Sequence, residues 1–158
     1  MSDPQRMNVA IVRLPHEGTR HELSKAPGSS RRIIIGGDQT SGALSLSDLN
    51  APDVFRGPPE HIHHHFEEMF YVLEGTLELL IAHETVSASA GTFVIIPRGV
   101  RHKPFKLNSA PARWLELFVP AGFEQFFEQL AAGLSDGRTP YDKLFSELAG
   151  DHDVEFIG

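Results

Sequence analysis

The sequence predicts an all-β fold, a sandwich or barrel of short strands, followed by two short C-terminal helices. Three observations carry this reading. Apolar runs of strand length, such as Ile33-Ile34-Ile35, Met69-Phe70-Tyr71-Val72-Leu73 and Phe93-Val94-Ile95-Ile96, recur between glycine and proline punctuation. Many short strands at close spacing are the mark of a sandwich or barrel. After Pro120 the apolar residues change to a helical spacing.

Taken in order, Val9-Ala10-Ile11-Val12 reads as a short strand, and Lys25 to Arg32, with Pro27-Gly28-Ser29-Ser30, as a loop. The β-branched run Arg32–Ile35 predicts a strand ended by Gly36-Gly37. Ala43–Leu49 alternates apolar and polar residues, the pattern of a half-buried strand. Asn50 to Pro59 holds three prolines and a glycine and forms a loop. Strands follow at Met69–Leu73, stopped by Gly75, at Thr76–Ile81, at Gly91–Ile96, stopped by Pro97, and at Arg113–Val119, stopped by Pro120. Phe123, Phe126, Phe127, Leu130 and Leu134 form one face of a helix over 122–134. Thr139-Pro140 reads as the start of a second helix with its own stripe, Tyr141, Leu144, Phe145 and Leu148. These helices are expected to cover the barrel or an oligomer contact. The division expected for 1–158 is a single domain: an N-terminal arm over 1–32, a barrel over 33–120, and helices over 121–158.

Composition narrows the function classes. The chain has 158 residues, 41% hydrophobic and 22% charged, enough for a real core. A formal net charge of −7 argues against nucleic acid and anionic membranes as partners. The absence of cysteine rules out a disulfide scaffold, a thiol nucleophile and a thiolate metal site. The polar start Met1–Arg6 does not lead into a signal-peptide core, and no apolar run approaches the length of a membrane span. The expected location is the cytoplasm.

The chemistry concentrates in one stretch. Four of the nine histidines, His61, His63, His64 and His65, fall within five residues, with Glu67 and Glu68 close behind. Imidazole and carboxylate are the donors that hold divalent transition metals. In a strand, residues i and i+2 share a face, so His61 and His63 project together and His65 keeps their parity. His64 faces solvent, and Glu67 points outward. Glu68 shares a face with Phe70 and Val72, where an unpaired anion is costly and a cation partner is expected. His102 follows the Pro97-Arg98-Gly99 turn and begins another strand. If that strand lies beside the His61 strand, it supplies a third imidazole. His16, His21, His83 and His152 are scattered and read as surface residues, Arg98, Arg101 and Lys103 as solvated. The stripe Phe123, Phe126 and Phe127 reads as packing, as does Trp114.

Two spaced motifs resemble the cupin superfamily: His61-x-His63-x4-Glu68-x6-Gly75, and Gly91-x5-Pro97-x-Gly99-x2-His102, with fifteen residues between Gly75 and Gly91. Pro58–His63, Phe70–Gly75 and Pro120–Glu124 look like bacterial single-domain cupins grouped with quercetin 2,3-dioxygenases, a likeness running from about Ile33 to the C-terminus. The chain departs from the motifs at Phe55, where a glycine is usual, and at Lys106, where an asparagine is usual. The resemblance implies a small double-stranded β-helix, the cupin jelly-roll barrel. It also implies His61, His63, Glu68 and His102 as ligands of one divalent transition metal (Fe, Mn, Ni, Co, Zn or Cu). Such a set leaves roughly two octahedral positions open.

The function expected from the resemblance is a metal-dependent dioxygenase acting on a phenolic, flavonol-like or enolisable small molecule, with Glu68 as the catalytic base. Phe70, Val72, Phe93 and Ile95 are expected by parity to line the pocket. The second reading is a non-catalytic cupin that binds or senses a metal and a small molecule. A third, sugar-phosphate isomerisation, would draw on Arg98, Arg101 and Lys103. A homodimer is expected, with Val9–Val12 and Ile33–Ile35 extending a neighbour's sheet.

Overall fold

The computed structural model describes residues 10–23, 26, 28–135 and 137–157. Its strands are β1 (Thr19–Glu22), β2 (Ser30–Ile35), β3 (Ser45–Ala51), β4 (His61–Ile62), β5 (Glu67–Glu74), β6 (Thr76–Ile81), β7 (Glu84–Ser89), β8 (Phe93–Ile96), β9 (His102–Phe105), β10 (Ala112–Val119) and β11 (Glu155–Phe156). Helices α1 (Glu124–Leu134) and α2 (Tyr141–Asp151) lie between β10 and β11. One antiparallel sheet runs β1-β2-β3-β10-β5-β8, the other β11-β4-β9-β6-β7. The two sheets enclose a core of Leu49, Phe70, Val72, Ile96 and Trp114 from the first and Leu77, Leu79 and Ala88 from the second. This is the predicted jelly-roll with two C-terminal helices.

Alternation sets the inward face. Along β10, Ala112, Trp114, Glu116 and Phe118 are buried while their neighbours are half-buried. Along β5, Glu68, Phe70 and Val72 point inward together. Gly75 closes the β5–β6 turn at φ 70°, where an added Cβ would overlap the Pro111 carbonyl oxygen. A second apolar cluster, Phe118, Phe123, Phe126, Leu130, Ala149 and Val154, forms where α1 and α2 cover one end of the barrel.

Several expectations change. Residues 10–12 are not a strand, and Val9 lies outside the described residues. The first strand is β1, whose Thr19-Arg20-His21-Glu22 has no apolar alternation and is held by backbone pairing to β2. Strand β2 begins at Ser30, so Ser30 and Arg31, read as the end of a loop, belong to the sheet with Arg32. Mostly exposed β7 and two-residue β11 carry too little apolar pattern to be legible. The second helix starts at Tyr141 with Pro140 as its N-cap and no side-chain cap, so Thr139 does not cap it. The histidine stretch is not continuous with β5. After Ile62 the chain leaves one sheet and re-enters the other at Glu67.

The large sheet is stitched by a charge cluster on β2, β3 and β10. Asp48 accepts hydrogen bonds from Arg32 (2.8 Å) and from both Nε (2.9 Å) and Nη2 (2.8 Å) of Arg113. Burial pushes the Asp48 carboxyl up, but the Arg113 and Arg32 bonds outweigh it and hold its pKa below the usual range. Asp48→Asn is therefore expected to cost about 2 kcal/mol of unfolding free energy at neutral pH, read from urea denaturation. A carboxyl titrating lower in the folded than in the unfolded chain stabilises fully above its unfolded value of about 3.9. That stabilisation is lost as pH falls through the folded value. A gap between wild type and variant that is unchanged down to about pH 2 would contradict this account.

Candidate metal centre

Three strands from two sheets build the site. His61 on β4 stands directly opposite His102 on β9, with ring centroids 4.5 Å apart. His63, just past the end of β4, places its ring 4.8 Å from His61 and 5.5 Å from His102. Glu68 reaches the group from β5 in the facing sheet, with Oε2 2.7 Å from His102 Nε2 and 3.4 Å from His63 Nε2. All four side chains are buried, and one donor atom from each lies within 4.8 Å of the others. Gly57, at φ 66°, lets the preceding loop pass the Pro104 carbonyl oxygen, which an added Cβ would overlap.

The histidines are oriented by backbone carbonyls. His61 Nδ1 bonds Pro59 O (2.8 Å), His63 Nδ1 bonds Asp153 O (2.7 Å) and His102 Nδ1 bonds Val100 O (2.9 Å). A carbonyl only accepts, so each Nδ1 carries the proton. In the neutral rings each Nε2 then presents a lone pair to the centre. Among the described residues, His63 Nε2 is buried with no hydrogen-bond partner. A buried lone pair beside a carboxylate oxygen has no protein group to satisfy it, and a divalent metal ion would.

The charges follow from the same packing. Burial lowers the His61 pKa to about 4, helped by His102 nearby. Burial also disfavours a charge on His102, but the Glu68 hydrogen bond and charge outweigh it and raise that pKa. For Glu68, burial is outweighed by the His102 hydrogen bond and by the charges of His102 and His63, and its pKa falls well below the usual range. Without a metal, the site thus holds one proton, between His102 and Glu68.

The structure brings these four side chains together, but their surroundings differ from those read in the sequence. His64 and His65 point away from the cluster. The His65 side chain is 82% exposed and bonds Asp153 Oδ1 (2.9 Å), because the break after Ile62 cancels its parity with His61. Glu67 points outward, 4.0 Å from Arg98, as expected. Phe70 and Val72 pack in the barrel core, while Phe93 and Ile95 lie exposed on its outer surface, so none of these four lines the cavity.

The cavity beside the cluster measures about 620 Å³. Its walls include Phe118, Phe123, Phe126 and Phe127, so the stripe read as packing also lines the cavity. Arg101 forks onto Glu60 (2.6 and 2.7 Å), and of the three basic residues near the second motif only Lys103 lines the cavity.

Three residues that the sequence reading passed over belong here. Glu116 is buried in the cavity wall, and burial, with Glu68 nearby, pushes it up to about 7 against the pull of Arg31. Its parity with Trp114 on β10 was the available signal. Arg31, read as loop, is buried against Glu116. Asp153 takes the His64 and His65 amides (3.0 and 2.7 Å) on its carboxylate and His63 on its carbonyl. No local pattern marks that residue.

If this group holds a metal, His63→Ala or His102→Ala lowers zinc affinity by more than about a hundredfold, and Asp153→Ala by about tenfold. His64→Ala leaves it unchanged. Equal losses in all four variants would refute the assignment. Because metal displaces the His102–Glu68 proton, and His102 is raised above its free value of about 6.5, affinity declines as pH drops through neutrality. Metal content that holds constant at equilibrium down to about pH 4 would be inconsistent with this.

Residues 54–118 match the cupin domain family profile. Among characterised proteins, quercetin 2,3-dioxygenase of Bacillus subtilis (strain 168) is 27% identical over 99 residues. That stretch is 63% of this chain but only 29% of the relative, so the chain spans less than a third of that protein's length. Among solved structures, KdgF from Halomonas sp. aligns with TM-score 0.60 at 20% identity, covering 74% of this chain and 99% of that one. The nucleoside dehydratase Pac13 of Streptomyces aligns at 0.56 and 17%, covering 74% and 88%. A sugar phosphate isomerase of Silicibacter pomeroyi aligns at 0.52 and 21%, covering 60% of each chain. At these identities the structural likeness speaks to fold alone: the chain has the fold these structures share, and its residues 54–118 match the cupin domain family.

Proposed function

We propose that the protein is a metal-dependent dioxygenase-type oxidoreductase acting on a phenolic, flavonol-like or enolisable small molecule. The observation that carries this reading is the convergence of three imidazole Nε2 atoms and the Glu68 carboxylate on one point, at the wall of an apolar cavity of about 620 Å³. That volume lies within the usual range for small-molecule sites, and the phenylalanine wall suits a ring. His61, His63, Glu68 and His102 would hold one divalent transition metal, with Fe, Mn, Ni, Co, Zn and Cu all compatible with the donor set. Bound there, the ion would act as a Lewis acid toward a deprotonated hydroxyl or enol oxygen.

The protein's own groups supply the rest. The Glu68 carboxylate, released from or weakly held by the metal, would take the substrate proton. Phe118 and Phe123 pack edge-on against His63 at 5.7 and 4.8 Å and keep water from that side. The likeness to a B. subtilis quercetin 2,3-dioxygenase favours oxygen chemistry.

Oxygen uptake with flavonols and simple phenols, measured across the Fe, Mn, Ni and Co forms, tests the proposal. Activity should appear with at least one metal, and Glu68→Gln should lower kcat by about a hundredfold or more. Ring compounds that bind every metal form without uptake would instead assign a binding or sensing cupin. Two structural neighbours are named as a dehydratase and an isomerase, reactions that need no oxygen, so substrate turnover without uptake would point to that chemistry.

The expected homodimer in the cytoplasm belongs to the same proposal. Exposed Tyr71, Phe93 and Ile95 on the outer face of β5 and β8 support self-association. Sedimentation velocity should give twice the 17.5 kDa chain mass, and a monomer at micromolar concentration would refute the dimer.

A further inference from the structure

A buried ion pair shares the cavity with the candidate metal cluster and is not among its four donors. Arg31 on β2 and Glu116 on β10 are each 4% exposed and contact each other through Nη1 and Oε2. The Arg31 guanidinium carbon sits 3.5 Å from the centroid of the Phe127 ring, which fixes the plane of the group. Among the described residues, Arg31 Nε is buried with no hydrogen-bond partner. Arg31 lines the same cavity as His61, His63 and Glu68.

A counter-ion role toward Glu116 accounts for one nitrogen and leaves Nε unexplained. A buried donor on a charged group is costly to leave unpaired. A guanidinium held by ring stacking, with donors to spare, is a preorganised fork for a planar anion. Charge points the same way. With Glu68, Glu116 and Arg31 charged, a dication in place of the His102–Glu68 proton leaves the buried groups one positive charge in excess. In an apolar, enclosed space a monoanionic ligand restores neutrality.

We propose that Arg31 anchors a carboxylate on the substrate, so that the site takes a small ring-bearing or enolisable acid. Its apolar body lies along the phenylalanine wall and its reactive end faces His61, His63, Glu68 and His102. This deepens the functional reading above and rests on it. Arg31 acts as a binding and specificity residue and exchanges no proton.

The test uses redox-inert zinc-loaded protein, titrated calorimetrically with benzoate and with its neutral isostere benzamide. Wild type should bind benzoate about tenfold or more tightly than benzamide. Arg31→Gln should abolish that preference. Because it leaves Glu116 unpaired, the double variant Arg31→Gln/Glu116→Gln, which removes both charges together, is measured beside it. Both variants should retain zinc by elemental analysis. Equal binding of the two probes by wild type would make Arg31 a counter-ion only and overturn the proposal. So would a benzoate preference that survives in the double variant, since the carboxylate would then sit on the metal. Wild type that takes up no zinc would bring down the metal reading itself, and this inference with it.

Discussion

Between β4 and β9 two imidazoles face each other in a buried setting, His61 against His102, and much of the molecule is arranged to make that tolerable. Two rings 4.5 Å apart cannot both be charged in low dielectric. The Pro59 and Val100 carbonyls fix the Nδ1 protons outward, which turns both Nε2 atoms toward the same point. Something positive must sit there. Glu68, delivered from the opposite sheet, makes that demand stronger and decides where the charge goes. Without metal a proton shared with His102 meets the demand; a divalent ion meets it better, because it also uses the idle lone pair of His63. Strand β4 is only two residues long, yet it is paired on both sides, by β9 and β11, which holds the pair in register.

The two departures from the cupin motifs turn out to be partners. Phe55 N–H donates to Lys106 O (2.8 Å) and Lys106 N–H donates to Phe55 O (2.6 Å), an isolated antiparallel bridge beside the cavity. Phe55 packs its ring 5.4 Å from Trp114. Lys106 is fully buried, yet its Nζ donates to the Asn108 and Ala110 carbonyls (both 2.6 Å), and burial lowers its pKa. Its stem fills apolar space and its head caps a turn. The replacements therefore keep this edge of the pocket closed by different means.

What the sequence revealed and what it hid divide along physical lines. Parity worked wherever a strand is long and one face is buried, so Glu68 beside Phe70 and Val72 was legible. It failed at His65, because no pattern in His63-His64-His65-Phe66 announces that the chain is crossing between sheets. Strands β1, β7 and β11 were invisible because their stability comes from backbone pairing to neighbours. Glu116 was legible in principle: a charged residue on the Trp114 face of β10 is a buried charge, and a buried charge needs a partner. That partner, Arg31, lay in a segment whose proline, glycine and serines read as loop. Only the fold could join the two.

The C-terminal helices are more than a cover. His63 meets Phe123 at 4.8 Å, Phe123 stacks on Phe126 at 5.2 Å, Phe126 meets Phe145 of α2 at 5.0 Å, and Phe145 stacks on Phe156 of β11 at 5.7 Å. Phe156 in turn pairs with His61 across β11 and β4. Four ring contacts and one strand pairing thus form a circuit that leaves the cluster at one histidine and returns to it at another. Asp153, between α2 and β11, adds a polar shortcut through its carbonyl to His63 Nδ1. Closely packed rings have few alternative arrangements, so α2 cannot shift without disturbing β11, Asp153 or the His63 ring. The shape of the cavity and the aim of the histidine donors are consequently coupled through a segment some ninety residues downstream of the histidine motif.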